Sequence, residues 1–361
     1  MSDSGAARPN VSGPDGWLAV ELRSQPDAVR RVEARAEELV AAVRAAVAGA
    51  DPRALLVAGR GTSDNAARSL QYLAGIRLGL PVALAAPSIT SIHGAELRLR
   101  DIVVIAVSQS GASPDVVSVV VNAVAQGAPT LAVTNDPTSP LARAATTVLD
   151  LGAGPERAVA ATRTYTASLA MLLLVAAGLG DSDFEAEMVG GLATVPDLME
   201  RTLIDAADPV ERLIADGTPQ HLVVVGRGYD YATASETALK VRELSRTVAE
   251  SFSPPDLLHG PIAAVGPDTT VLLVATDAAT IVDHRELVRV VAAQGARTVA
   301  ITTDADLAAV CDRVVLLQPL PGWLTPFTAI LPGQLLAAGL ARAAGLDPDN
   351  PDGLTKVTRT R

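Results

Sequence analysis

The strongest constraint on how this chain folds is an internal repeat. The segment LLVAGRG (55–61) recurs as LVVVGRG (222–228), and AVAQGAPTLAVTND (123–136) recurs as VAAQGARTVAITTD (291–304). The two pairs are offset by 167 and 168 residues, so the copies keep their register over a long stretch. Similarity at one fixed offset is the signature of repeated structural units. We therefore expect two homologous domains in tandem.

Each copy alternates between strand and helix patterns. Near-continuous apolar strands are expected at 54–60, 101–108 and 129–135, with a helix at about 114–125. Strands that are apolar on both faces are typical of a parallel sheet covered by helices on each side. The sequence thus predicts an α/β fold in which each domain is a flavodoxin-like parallel sheet sandwiched by helices.

Shifts in pattern place the boundaries. The helical pattern from Trp17 to Ala48 precedes the first strand, and a helical stretch around 181–204 joins the two copies. We expect a flexible tail at 1–14, a helical segment at 15–50, the first domain at 51–195, the second at 205–345 and a C-terminal tail at 346–361. The C-terminal tail is polar and interrupted by prolines, which is typical of a frayed chain end. If it folds back, it can cover a pocket.

Composition excludes several function classes. The formal net charge of −11 opposes general nucleic-acid binding, and nine aromatic residues leave little for stacking on bases. Cys311 is the single cysteine, so it can form neither an internal disulfide nor a zinc cluster. The longest apolar run, 167–178, is shorter than a membrane span, and the N-terminus lacks the pattern of a signal peptide. We expect a cytoplasmic protein without nucleic-acid or membrane partners.

Two loops of the first copy are candidates for anion binding, GRGTSD (59–64) and SQSGASPD (108–115). Both lead from a strand into a helix N-terminus, whose free N–H groups attract anions. Neither contains the GxxxxGK[ST] pattern of nucleoside triphosphate sites, and Asp64 breaks the dinucleotide GxGxxG pattern. A single phosphate monoester fits best; loops that only cap helices are the alternative. The candidate ligands are Gly61, Thr62, Ser63, Ser108, Gln109, Ser110 and Ser113.

The second copy differs at the same place. Its counterpart loop, DAATIVDH (277–284), lacks the serines and the glycine and is acidic. We therefore expect the anion site in the first copy only.

Lysine is nearly absent from the chain. Of 29 basic residues only Lys240 and Lys356 are lysines, which makes both candidates for chemistry that arginine cannot perform. The alternative is that these two lysines remain by chance in a sequence that strongly favours arginine. In ETALKVREL (236–244), Glu236, Lys240 and Glu243 are spaced to share one helix face. A solvated stripe of ion pairs would show the same pattern.

His259 has the most constrained setting among the histidines. Two prolines and a His-Gly-Pro turn surround it in SFSPPDLLHGPIAAV (251–265), so we expect its position to be fixed. The other three, His93, His221 and His284, are expected at the surface or in helix caps.

Together these motifs resemble the sugar isomerase (SIS) domain family. GRGTSD and SQSGAS match its phosphate loops, and ALKVRELS, AESF, LHGP and GLTKVT resemble, in that order, the isomerase half of glutamine–fructose-6-phosphate amidotransferases. The resemblance runs from about residue 30 to the last few residues. It implies two tandem SIS domains and aldose–ketose chemistry on a hexose 6-phosphate.

The resemblance also implies roles for particular residues. The family's phosphate ligands match the candidate loop serines and Gln109. Glu243 matches the base that moves a proton between C1 and C2, and Lys240 lies in the same site. His259 matches a ring-opening histidine that the neighbouring subunit of a homodimer supplies, and Lys356 matches a lysine that engages the open-chain carbonyl. The similar segment ERAVAATRTYTASL (156–169), with Arg163 for a usual lysine, implies further substrate contacts at Val159 and Ala160.

Departures from the family pattern bear on the reaction. Residue 2 is serine where the amidotransferases carry a glutaminase cysteine, so we expect no glutamine hydrolysis. The usual ELKHGP reads DLLHGP, with Asp256 and Leu258 altering the surroundings of His259. We expect deamination of glucosamine 6-phosphate, or of a related amino-hexose 6-phosphate, to fructose 6-phosphate and ammonia, without a cofactor or metal. A ketosamine-6-phosphate deglycase, an ammonia-dependent synthase and a non-catalytic sugar-phosphate sensor are the alternatives.

Overall fold

Two parallel five-stranded sheets confirm the predicted α/β fold. The structure, a computed structural model, describes residues 16–356, so the tail predicted at 1–14 and residues 357–361 lie outside it. The first sheet consists of β1 (Ala54–Ala58), β2 (Val82–Leu84), β3 (Ile102–Ser108), β4 (Thr130–Thr134) and β5 (Thr147–Asp150). The second consists of β6 (His221–Gly226), β7 (Val248–Phe252), β8 (Thr269–Ala275), β9 (Arg297–Thr302) and β10 (Arg313–Leu316).

The two sheets share one topology. The first has the order β2-β1-β3-β4-β5, and the second has β7-β6-β8-β9-β10, which is the same order one repeat later. This order is the flavodoxin-like arrangement, in which ligands bind outside the carboxyl ends of the strands. The repeat seen in the sequence is therefore a repeat of the fold.

Helices cover both sheets. The N-terminal segment and first domain contain α1 (Gly16–Arg23), α2 (Gln25–Glu33), α3 (Ala36–Ala46), α4 (Thr62–Arg77), α5 (Ser88–Ser91), α6 (Pro114–Ala125), α7 (Pro140–Ala144) and α8 (Arg163–Leu179). Two connecting helices and the second domain follow as α9 (Ser182–Asp205), α10 (Ala207–Ala215), α11 (Asp230–Ser245), α12 (Pro254–Leu258), α13 (Ile281–Ala293), α14 (Ala305–Ala308) and α15 (Thr325–Ala343). The helical pattern predicted from Trp17 to Ala48 is divided into three helices, and Pro26, in the first turn of α2, separates α2 from α1 because proline cannot continue a preceding helix.

Two apolar helices form much of the core. All but the first and last residues of α8 are buried, which confirms the core helix expected at 167–178. The segment Gly322–Ala343, which includes α15, is long and apolar enough to cross a membrane by length and composition. Polar residues and prolines interrupt its apolar runs, so each uninterrupted run in the sequence is shorter than a membrane span. In the fold, 94% of its most apolar window is buried inside the protein, as in a core helix.

The first turn of α4 and the middle of α11 pack against each other. These helices follow the equivalent strands β1 and β6, and a Cβ added to Gly61 would lie 3.9 Å from Leu239 Cδ2. This contact brings the GRGTSD loop of the first domain beside the helix that carries Glu236, Lys240 and Glu243.

The surface placement expected for His284 is wrong. It lies on the inner face of α13, one helical turn before Leu287 and Val288, and is fully buried. Its Nδ1 lies 3.0 Å from Thr280 O, and burial lowers the pKa of the imidazole. A single histidine in a mixed sequence carries no signal that separates the two faces of such a helix. His93 and His221 are exposed, as expected.

Candidate active site

An ion pair joins the two candidate phosphate loops. Arg60 Nε lies 2.8 Å from Asp115 Oδ2, and Asp115 is fully buried although Arg60 is half exposed. In the SQSGASPD loop, Gly111 has a φ of 58°, and an added Cβ would lie 2.1 Å from Ser139 Oγ. Glycine is required at this position, which holds the loop against the start of α7.

The serines of the SQSGASPD loop have different local roles. Ser108 Oγ accepts a hydrogen bond from the Gly111 N–H at 3.1 Å, and Ser110 Oγ accepts one from the Ala112 N–H at 3.3 Å. Ser113 occupies the N-cap of α6 but makes no side-chain bond to the helix. A hydroxyl that accepts a hydrogen bond can still donate its own proton, so all three remain able to bind phosphate oxygens. The side chains of Ser63 and Gln109 form no hydrogen bond within residues 16–356.

Thr62, one of the predicted phosphate ligands, makes a side-chain contact with the second domain. Its hydroxyl donates to Glu236 Oε1 at 3.0 Å, across the boundary between the two domains. Asn65, which the sequence analysis missed, donates to Glu236 Oε2 at 2.7 Å. The first turn of α4 therefore holds the carboxylate of α11 with two donors.

The predicted face of α11 is confirmed, but it is not a solvated stripe. Glu236 and Lys240 are 0% and 1% exposed, because α4 and α15 pack over this helix. Lys240 Nζ lies 3.5 Å from Glu236 Oε1 and donates to Glu243 Oε2. Glu243 has a side chain that is 25% exposed, so it is the member of the triad that a substrate can reach.

The charges of this triad set its chemistry. Burial raises the pKa of Glu236 to about 7, against the opposing effect of Lys240 and its hydrogen bonds. Burial alone would lower the pKa of Lys240, but Glu236 and Glu243 raise it above its usual value. Lys240 therefore stays protonated at neutral pH. As an ammonium it can orient a carboxylate and stabilise negative charge, but it cannot form an imine.

The distance between the GRGTSD loop and Glu243 matches the length of a hexose phosphate. The contacts through Lys240 place Glu236 Oε1 and Glu243 Oε2 at most roughly 6 Å apart, and Thr62 Oγ1 lies 3.0 Å from Glu236 Oε1, so at most about 9 Å separates Thr62 from Glu243. Seven bonds separate the phosphorus of a hexose 6-phosphate from C1. With covalent bonds of about 1.5 Å in a zigzag, an open chain spans roughly 9 Å.

The C-terminal tail folds back onto the body as far as it is described. Lys356 Nζ lies 2.9 Å from Glu156 Oε2, and the carboxylate of Glu156 is fully buried. That carboxylate also accepts from the N–H of Thr162 and from both the N–H and hydroxyl of Thr164. Burial would raise the pKa of Glu156, but Lys356 and these bonds hold it below its usual value. The sequence pattern does not identify Glu156 as a partner of Lys356.

His259 and residues 159–160 lie apart from the triad on α11. The His259 ring is held by a 2.7 Å contact between Nδ1 and Pro255 O, yet it is exposed. Within the described chain it makes no hydrogen bond to Glu243, Lys240 or Lys356. The Ala160 side chain is buried in the core, and the Val159 N–H is bonded to Asp349 O at 3.2 Å.

In the second domain, a carboxylate occupies the position that corresponds to the candidate anion site of the first domain. By the repeat offset, Asp230 corresponds to Ser63 of the GRGTSD loop. Its buried carboxylate accepts from the N–H groups of Thr276 and Asp277 at 2.7 and 2.9 Å. Burial raises the pKa of Asp230 to about 6. A side chain thus takes N–H donors that would otherwise be available to an anion at this position.

Comparison with known proteins connects this geometry to a family. A sequence profile of the SIS domain matches residues 50–178 and 218–343. The glutamine–fructose-6-phosphate aminotransferase (isomerizing) of Streptococcus pyogenes serotype M1 is 32% identical over 356 residues. That match covers 94% of this chain and 58% of the relative, so the chain spans less than two thirds of the relative's length.

Solved structures share the whole fold. A candidate phosphosugar isomerase from Silicibacter pomeroyi DSS-3 superposes with a TM-score of 0.79 at 33% identity, covering 92% of this chain and 99% of the other. The glucosamine-6-phosphate deaminase of Thermotoga maritima gives a TM-score of 0.71 at 18% identity, covering 93% and 100%. The second likeness shows the fold alone. With both repeats matched by the profile, the chain belongs to the SIS domain family and carries two SIS domains in tandem.

Proposed function

We propose that this protein is an amino-sugar phosphate isomerase and deaminase, which converts glucosamine 6-phosphate and water to fructose 6-phosphate and ammonia. The observation that carries the proposal is the Lys240–Glu243 pair, which lies within about one hexose phosphate length of the candidate phosphate loop GRGTSD. The aminotransferase relatives, named for fructose 6-phosphate, support a hexose 6-phosphate as the substrate class.

Binding energy comes from the phosphate end. The loop serines, Gln109 and the N-termini of α4 and α6 hold the phosphate several bonds away from the reacting carbons. Such remote binding orients C1 and C2 against the base and lowers the entropy cost of the reaction.

Glu243 moves the proton. It takes the C2 proton of the open-chain amino aldose and returns it to C1, which leaves an imine at C2. Water hydrolyses this imine to the ketose, and ammonia leaves. Lys240, protonated and bonded to Glu243, orients the carboxylate and stabilises the enolamine. Lys356, after it leaves Glu156, engages the substrate's carbonyl oxygen.

Ring opening requires a group that the described chain does not bring to Glu243. The exposed His259 of a neighbouring subunit can supply it. We therefore propose a homodimer, in which each site takes His259 from its partner, as the family resemblance implies. We also propose a cytoplasmic location, where hexose phosphates are found.

The test is ammonia release across glucosamine 6-phosphate, galactosamine 6-phosphate and a ketosamine 6-phosphate, with unphosphorylated glucosamine as the control. We expect ammonia and fructose 6-phosphate in equal amounts from glucosamine 6-phosphate, and none from glucosamine. Release of an amino acid from the ketosamine alone would instead identify a deglycase. Tight binding of all three phosphates without any product would identify a sensor and refute the proposal.

A further inference from the structure

The amine of Lys356 is held by a chain of contacts that begins at the N-terminal helix. Asp349, in the C-terminal tail, accepts from the N–H groups of Trp17 and Leu18 at 2.8 and 2.7 Å with its two carboxylate oxygens. Asp349 is 6% exposed, and an added Cβ on Gly16 would lie 2.8 Å from its Oδ2. The tail thus caps the first turn of α1 at close range.

The same helix, α1, also contacts the segment that binds Lys356. Glu21, 1% exposed, accepts hydrogen bonds from the backbone N–H groups of Arg157 and Ala158, the latter at 3.3 Å. The guanidinium of Arg157 lies 4.2 Å from the ring centroid of Trp17. Glu156, immediately before these residues, is the partner of Lys356.

A third contact closes the arrangement. The backbone carbonyl of Asp349 accepts from the Val159 N–H at 3.2 Å, so tail, α1 and the 156–160 segment each contact the other two. We name this group of contacts, made by Glu21, Asp349 and the 156–160 segment, the clasp. Leaving its buried carboxylates without hydrogen-bond donors would cost free energy. The clasp is therefore stabilised in this one arrangement.

We propose that Glu21 and Asp349 are positioning residues that, through the clasp, hold Lys356 at Glu156, the position from which it engages the substrate. The proposal rests on the role given to Lys356 in the proposed function. Neither side chain touches the reacting atoms in this arrangement. Glu21 fixes the position of the backbone that carries Glu156. Asp349 fixes the position of the tail seven residues before Lys356.

The lysine content of the chain allows a test that needs no substrate. Lys240 and Lys356 are the two lysines, and Lys240 is buried. An amine-reactive ester, read out by mass spectrometry, therefore reports on Lys356, with Lys240 as an internal reference. We expect Glu21→Gln and Asp349→Asn to raise the labelling rate of Lys356 by roughly ten- to a hundredfold, since each loses a charge-assisted bond. The matched control Asp352→Asn removes an exposed tail pair with Arg246 and should stay near the wild-type rate.

Activity supplies the second readout. Glu21→Gln should lower kcat about tenfold or more with little change in KM, and should have no further effect in a Lys356→Met background. Unchanged Lys356 labelling in both clasp variants would overturn the proposal, as would equal losses of kcat in the two backgrounds. If Lys356→Met itself kept full turnover while labelling responded as expected, the clasp would stand and the role of Lys356 in the proposed function would fall.

Discussion

Replacing Gly111 with alanine should damage the phosphate site far more than the same change at Gly127. Both glycines lie in the first domain at positive φ, 58° and 72°. An added Cβ at Gly127 meets no atom within 4 Å, whereas at Gly111 it would lie 2.1 Å from Ser139 Oγ and 2.5 Å from Ser139 Cβ. Gly127→Ala therefore carries only the left-handed strain of about 1–2 kcal/mol. Gly111→Ala adds overpacking of about 1–3 kcal/mol.

The two variants are compared by urea unfolding and by calorimetric titration with fructose 6-phosphate. We expect Gly111→Ala to lose about 2–5 kcal/mol of unfolding free energy and to bind the ligand at least roughly tenfold more weakly, because the loop must move away from α7. Gly127→Ala should bind like the wild type. Equal losses of stability in the two variants, or wild-type affinity in Gly111→Ala, would refute the geometry assigned to this loop.

Two further predictions concern buried charge. Lys240→Met removes the ammonium partner of the buried Glu236, so at pH 8 this carboxyl must either stay charged without a partner or bind a proton, and chemical denaturation should show a loss of about 3–5 kcal/mol; a loss below about 1 kcal/mol would contradict the burial described. Burial raises the pKa of Glu21 to about 7, above its unfolded value, so its stabilising contribution is full below pH 4.5 and lost as pH rises through 7. Unfolding free energies measured from pH 5 to 8 should therefore fall less steeply in Glu21→Gln than in the wild type; identical slopes would contradict this reasoning.

Much of the fold follows from local sequence pattern. The repeated strand–loop–helix segments predict the two sheets, because continuous apolar strands and turn residues act over short distances. The GRGTSD and SQSGASPD loops were found for the same reason, since their donors are adjacent in the chain. The spacing of Glu236, Lys240 and Glu243 likewise predicts a common helix face.

What escaped prediction depends on contacts between distant segments. Whether the α11 face is solvated or buried is decided by α4 and α15, which lie far away in the chain. The sequence does not show that the hydroxyl of Thr62 donates to Glu236, because this bond depends on the packing of α4 against α11. Asn65 and Glu21 match no motif, Glu156 lies in a family-like segment without an assigned role, and each gains its role from a partner more than a hundred residues away. Periodicity within one element carries no information about such partners.

The central claim is that Glu243 passes a proton between C1 and C2 of a hexose phosphate anchored by the first domain. Incubation of the enzyme with fructose 6-phosphate in D2O, followed by proton NMR, measures this step without ammonia release. The wild type should exchange a C1 proton for deuterium. Glu243→Gln should exchange roughly a hundredfold or more slowly while binding fructose 6-phosphate with similar affinity. Exchange at the wild-type rate in Glu243→Gln would show that another group is the base.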